Sequence, residues 1–119
     1  MIELRKGNIV VDKSFELALS IVEFCNLLEK KGKLAIARQL LRSGTAVGAL
    51  IAESQDAESR ADFIHKMKIA LKEAKETNYW LTLCEQSPSL PFDQKPKDQS
   101  EDVIRILSKI VISSRSAKT

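Results

Sequence analysis

Two stretches of helical period joined by a short polar turn constrain this chain more than any other feature. The first, LAIARQLLRSGTAVGALIAE, puts Ala37, Leu40, Leu41, Gly44, Val47, Gly48 and Ile51 on one side at about 3.6 residues per turn. The second, DFIHKMKIALKEAKETNYWLTL, does the same with Phe63, Met67, Ala70, Leu71, Ala74 and Leu81. Gly44 and Gly48 lie one turn apart without side chains, so a neighbouring backbone can come close. At about 1.5 Å per residue each helix is about 36–40 Å long, and the short turn forces the two to pack antiparallel.

Two more helices flank this hairpin. The first runs over about 12–31, capped by Asp12 or Ser14 and stopped at Gly32 after Lys30 and Lys31. Residues 1–11 read as an irregular lead-in, with a short extended piece at Ile9–Val11. The apolar residues of this helix fill two adjoining stripes: Phe15, Ala18, Leu19, Val22 and Cys25, then Leu17, Ile21, Phe24 and Leu28. One buried face needs less than that, so something covers the extra width. The hairpin helices run over about 33–58 and 61–86, with Ser59 as a cap for the second. Residues 87–99 hold all three prolines and no helical period, and read as a loop. Ser100 then caps a last helix over about 100–114, with Val103, Ile104, Leu107, Ile110 and Val111 inward, and residues 115–119 fray. Four amphipathic helices without a credible strand make an all-α, antiparallel up-and-down four-helix bundle, one domain over 1–119.

Composition narrows the function classes. A chain of 119 residues can bury a core without disulfides or metals. Its start lacks the apolar core of a signal peptide, and no apolar run approaches the ~20 residues of a membrane span, which points to a cytoplasmic protein. Cys25 and Cys84 sit inside apolar helical patterns and read as buried, reduced thiols. The net charge of +3 is spread along the chain and does not by itself mark a nucleic-acid binder.

No catalytic, metal or cofactor site emerges. A two-metal bundle needs two histidines on inward faces, and the single histidine, His65, falls on a lysine-rich face. Asp62 with His65, and Glu73 with Glu76, are the nearest matches. Neither cysteine faces His65, and the four glycines form no phosphate-cradling loop. The chain reads as non-enzymatic.

The third helix carries two further faces. Ile69, Glu73, Glu76, Trp80 and Leu83 make an acidic strip bracketed by apolar groups. It is either ordinary surface or a face buried against another helix or subunit, where each glutamate needs a partner. Reflecting the hairpin about its turn puts Arg42 at the height of Glu73 and Glu76, and Glu53 at the height of Lys66. Arg42, Glu73 and Glu76 are expected to pair in a cluster shielded from water, within or between subunits. On the other face lie His65, Lys68, Lys72, Lys75 and Tyr79. That is either a solvated surface or a phosphate-contacting stripe with Tyr79 stacking on a base. Arg115 and Lys118 of the tail are further candidates for the same role.

Gln39-Leu40-Leu41-Arg42-Ser43, Thr45, Ile51-Ala52-Glu53, Phe63, Ala70-Leu71-Lys72-Glu73, Glu76-Thr77 and Tyr79-Trp80-Leu81 closely resemble the bacterial four-helix-bundle family first noted in intervening sequences of 23S ribosomal RNA genes. They span the middle half of the chain in order. Two positions depart: the family has Asn before Ile-Ala-Glu and Gly after it, where this chain has Leu50 and Ser54. The resemblance implies a homopentamer of bundles. The family includes the accessory variability determinant of diversity-generating retroelements, a basic pentamer that binds nucleic acid and a reverse transcriptase. Two functions follow as expectations. One is a nucleic-acid-binding accessory protein, with RNA or DNA and a reverse transcriptase or other protein as partners. The other is a homo-oligomeric protein-interaction scaffold that binds no nucleic acid.

Overall fold

The computed structural model describes residues 8–116. Four α-helices occupy them: α1 Ile9–Lys30, α2 Leu34–Ser54, α3 Arg60–Gln86 and α4 Gln94–Ser116, with no strand among the described residues. Each helix packs on its neighbours in sequence, and α4 closes back on α1. Direction follows from which residues meet. Ile21 faces Gly44 while Ser14 faces Gly48; Ser43 meets Thr77 while Ser54 meets Met67; Asn78 meets Ser100 while Arg60 reaches Ser114. All three pairings are antiparallel, so the bundle runs up and down. Its core is built from Leu17, Ile21 and Leu28 of α1, Leu40, Val47 and Ile51 of α2, Met67, Ala70, Ala74 and Leu81 of α3, and Val103 and Leu107 of α4.

The helix ends show where local signals were followed and where packing overrode them. Gly32 closes α1 at φ 76°, with Lys33 N–H donating to Leu28 O and Gly32 N–H to Glu29 O, as a left-handed C-terminal stop requires. Ser59 Oγ accepts from Asp62 N at 3.0 Å, the expected cap of α3. The extended piece expected at Ile9–Val11 is instead the first turn of α1. Val10 and Val11 are buried there, and Asn8 ties the start to the end of α2 through Gln55 Oε1 at 2.7 Å. Burial outweighs the weak strand preference of three β-branched residues. Residues 1–7 of the expected lead-in lie outside the described residues.

α2 stops at Ser54, four residues short of the expected end. Ser54 Oγ donates back to Ile51 O at 2.6 Å, and the next amides bond three residues back rather than four, which unwinds the helix. α4 begins at Gln94, well before the expected Ser100. Pro88 and Pro91 do lie in the connecting loop, but Pro96 sits in the first turn of α4, fully buried, where a helix needs no amide proton. Ser100 is no cap: it is buried, accepts from Asn78 Nδ2 at 2.9 Å and donates to Lys97 O at 2.8 Å. The helix also continues past Ser114 to Ser116, and residues 117–119 lie outside the described residues.

Gly44 sets the distance between α1 and α2. A Cβ built there would stand 2.7 Å from Ile21 Cγ2 and 3.1 Å from Ile21 Cβ, atoms too near the α1 backbone to swing aside. At Gly48 the nearest neighbour would be Ser14 O at 3.3 Å. Gly44→Ala is therefore expected to lose about 1–3 kcal/mol by overpacking, despite the better helix propensity of alanine. Gly48→Ala should lose clearly less. Urea midpoints of the two variants check the order; a Gly44→Ala protein as stable as wild type would contradict the close approach.

Candidate functional site

Close packing at Gly44 decides which stripe of α1 faces inward. Leu17, Ile21, Phe24 and Leu28 are buried, as is Cys25, while Phe15 is 43 % and Leu19 55 % exposed and Val22 is exposed beside them. Across from them α2 contributes Leu41, also exposed, and the small residues Thr45, Gly48, Ala49 and Ala52. The two helices thus frame an apolar groove of about 200 Å³, with Val11, Phe15 and Ala18 as its other wall. Along the solvent side of α1, Asp12, Glu16 and Glu23 share one face with Leu19. The sequence reading saw the spare width of α1 but missed the α2 half of the groove. The signal for it is the row of small residues at positions 45, 48, 49 and 52.

The lysine face of α3 is a ridge in the structure. Lys68, Lys72, Lys75 and Tyr79 are all exposed, and His65 continues the face. Between the lysines lies a depression of about 330 Å³ floored by Leu71 and by Val111 of α4. Of the two tail residues placed with this face, the Arg115 side chain and Lys118 lie outside the described residues.

Arg42, Glu73, Glu76 and Trp80 come together across the α2–α3 seam. Arg42 Nη1 reaches both carboxylate oxygens of Glu73 at 3.2 Å, and Nη2 reaches Glu76 Oε2 at 2.5 Å. Trp80 Nε1–H donates to the same Glu76 oxygen at 3.0 Å, and the Tyr79 ring meets Trp80 edge-on at 5.1 Å. The Trp80 bond, then the Arg42 bond, hold the Glu76 carboxyl below its ordinary range; Glu73, then Glu76, push the Arg42 guanidinium up. The expected shielding is not supplied within one chain, because the Arg42 side chain is 50 % exposed and that of Glu76 36 %. Lys66 does not meet Glu53: it reaches Asp62, one turn away on its own helix, at 3.7 Å. A partner four residues away on the same helix is nearer than one across the seam.

Cys25 Sγ–H donates to Ala37 O at 3.4 Å, and burial pushes its thiol up to about 12 and that of Cys84 up to about 11. Thiols held protonated in this way are poor nucleophiles. No Cα of α1 comes within 8 Å of one in α3, beyond the ~7 Å that a disulfide spans. Among the described residues no three of His, Cys, Asp and Glu are grouped to hold a metal, and no helix is long and apolar enough to cross a membrane.

An ion pair this exposed contributes about 0–1 kcal/mol, against about 3–5 for breaking a buried one. Arg42→Ala should therefore shift the unfolding free energy by no more than about 1 kcal/mol at pH 7. Because the Glu76 carboxyl is held low, its contribution is present above the ordinary carboxylate value of 4.5 and disappears as pH falls below it. Denaturant midpoints of wild type and Glu76→Gln should converge at low pH. A loss of several kcal/mol in Arg42→Ala would show that the cluster is covered.

Comparison with known proteins bears on most of the chain. No curated protein matches it. A crystal structure of a protein of unknown function from the S23 ribosomal protein family of Bacteroides thetaiotaomicron VPI-5482 is similar over 86 % of this chain and 97 % of that one, with 40 % identity and a TM-score of 0.80. The family described as 23S rRNA-intervening sequence protein matches residues 6–111. This chain belongs to the 23S rRNA-intervening sequence protein family.

Proposed function

We propose that this chain is a non-enzymatic unit of a homo-oligomeric ring that acts by presenting repeated copies of one surface to a partner. The observation that carries this reading is the apolar α1–α2 groove walled by Val11, Phe15 and Ala18, with Leu19, Val22 and Leu41 exposed on the same two helices over a bundle whose core is already complete without them. Exposed apolar groups gathered on two adjoining helices in this way mark an interaction surface, and on a free monomer they would promote aggregation. Five copies is the number that the sequence resemblance implies, and repetition around a ring raises avidity for any partner with several sites. A cytoplasmic setting suits the two free thiols. A carbonyl-bonded Cys25 and a buried Cys84, both held as thiols, suit a protein that works by binding.

A second reading is a nucleic-acid-binding accessory protein. Its support is the exposed ridge of Lys68, Lys72, Lys75 and Tyr79, together with a family description that refers to 23S rRNA. Stacking on Tyr79 and phosphate contacts by the lysines would bind single strands with little sequence preference. Five copies at +3 each would add a long-range attraction.

Sedimentation equilibrium at micromolar concentration tests the first reading. Several multiples of 13.3 kDa are expected, and a single 13.3 kDa species would end it. Titration with mixed-sequence RNA and DNA at several salt concentrations tests the second. Binding through the ridge must weaken with salt, with a slope of roughly −0.7 per phosphate contact on single strands. No binding even at low salt would leave the ring as a protein scaffold.

A further inference from the structure

Two stripes on opposite corners of the bundle have the same spacing and opposite charge. On α1, Asp12, Glu16, Leu19 and Glu23 recur at i, i+4, i+7 and i+11. On α3, Lys68, Lys72, Lys75 and Tyr79 recur at the same intervals. None of these acids or lysines forms an ion pair within 4.0 Å among the described residues, although Lys72 lies near enough to Glu76 to help hold that carboxyl in its charged form. The stripes also lie at the same levels. Ile21 packs on Gly44, whose neighbour Ser43 meets Thr77, so Ile21 and Thr77 are level. Because α1 and α3 both run antiparallel to α2, they are parallel to each other. Asp12 then stands level with Lys68, Glu16 with Lys72, Leu19 with Lys75 and Glu23 with Tyr79. The two helices sit on a diagonal with no Cα atoms within 8 Å of each other, and both stripes lie on their solvent sides, so the stripes do not meet within one chain. In a closed ring whose rotation axis follows the bundle, residues at equal levels on successive copies face each other.

We propose that α1 of one copy docks lengthwise on the α3 ridge of a second copy of this chain, with Asp12 and Glu16 facing Lys68 and Lys72. This names the contact within the ring proposed above and rests on that reading. The chemistry of the two stripes is matched beyond sign. The lysine stems are apolar and lie over Phe15 and the groove behind it, while their ammonium ends reach the carboxylates. Leu19 enters the depression floored by Leu71 and Val111 beside Lys75. The Tyr79 hydroxyl can donate to Glu23. A head-to-tail contact of this kind joins two different faces and, where its rotation closes, builds a ring rather than a two-fold dimer. It also removes the lysine ridge from solvent, so the same ridge cannot serve nucleic acid in the assembled ring.

Charge exchange tests the contact, with mass read by multi-angle light scattering and folding by circular dichroism. The variants Asp12→Lys/Glu16→Lys and Lys68→Glu/Lys72→Glu each put like charges across the contact and should run as 13.3 kDa monomers of unchanged helicity. Combining all four substitutions in one chain restores opposite charges at every contact and should restore the wild-type mass. As an independent readout, Glu16→Cys/Lys72→Cys should give an oxidation ladder of linked copies on a non-reducing gel, whereas either single variant should not. A wild type that is itself a monomer would refute the ring and this contact with it. A wild-type oligomer whose mass survives both double variants, with no ladder, would refute the contact alone. If Lys68→Glu/Lys72→Glu keeps its mass but loses binding of mixed-sequence RNA, the ridge faces nucleic acid and the proposal is overturned.

Discussion

The close approach of α1 to α2 at Gly44 is the constraint on which the rest of the molecule depends. Ile21 fills the space that a side chain at position 44 would take, and this fixes both the separation and the rotation of α1. Once Ile21 points at Gly44, the helical period commits Leu17, Phe24 and Leu28 to the core and turns Phe15, Leu19 and Val22 outward. Ser14 follows one level away, with its backbone against Gly48. The exposed apolar stripe is therefore a geometric consequence of how the core closes. Had α1 rotated to bury that stripe, Ile21 would have left the glycine, and the close approach of the two helices would have been lost.

A second set of constraints fixes height. The hydroxyls of Ser43 and Thr77 meet at 3.0 Å inside the bundle, and Asn78 reaches Ser100 between α3 and α4. Ser43, Thr77 and Ser100 each also bond a carbonyl of their own helix, but the contacts between helices form at one register only, and a slide of one turn would break them. Lys97 with Glu85 reinforces the α3–α4 register nearer the surface, at 2.8 Å. Register within one chain is what places the acidic stripe of α1 and the basic stripe of α3 at equal heights. The polar interior and the charged exterior are thus linked through the backbone.

Much of this was legible in the sequence. Periodicity located four helices, Gly32 and Ser59 marked ends as glycine and serine do, and reflecting the hairpin brought Arg42 to Glu73 and Glu76. What periodicity could not supply was the choice between alternatives that local chemistry leaves equal. Both stripes of α1 are apolar, and only the fit of Ile21 against Gly44 selects one. Pro96 reads as a breaker, yet in the first turn of α4 it costs no hydrogen bond and buries its ring. Lys66 had an acidic partner available across the seam and another on its own helix, and the local one won. The exposure of the Arg42 cluster depends on what lies beyond the chain, which a pattern within the chain does not record.

Radical footprinting of the native protein addresses the central claim, that the outer stripe of α1 is covered by another copy. Ile112 of α4 is 62 % exposed and lies on neither stripe, so it serves as the internal reference. At micromolar concentration Phe15, Leu19 and Tyr79 should be oxidised far more slowly than their exposure in one chain implies, while Ile112 is oxidised freely. Dilution or the charge-reversed variants should release that protection. If Leu19, at 55 % exposure, is oxidised as readily as Ile112 at every concentration, the stripe faces water and the account is wrong.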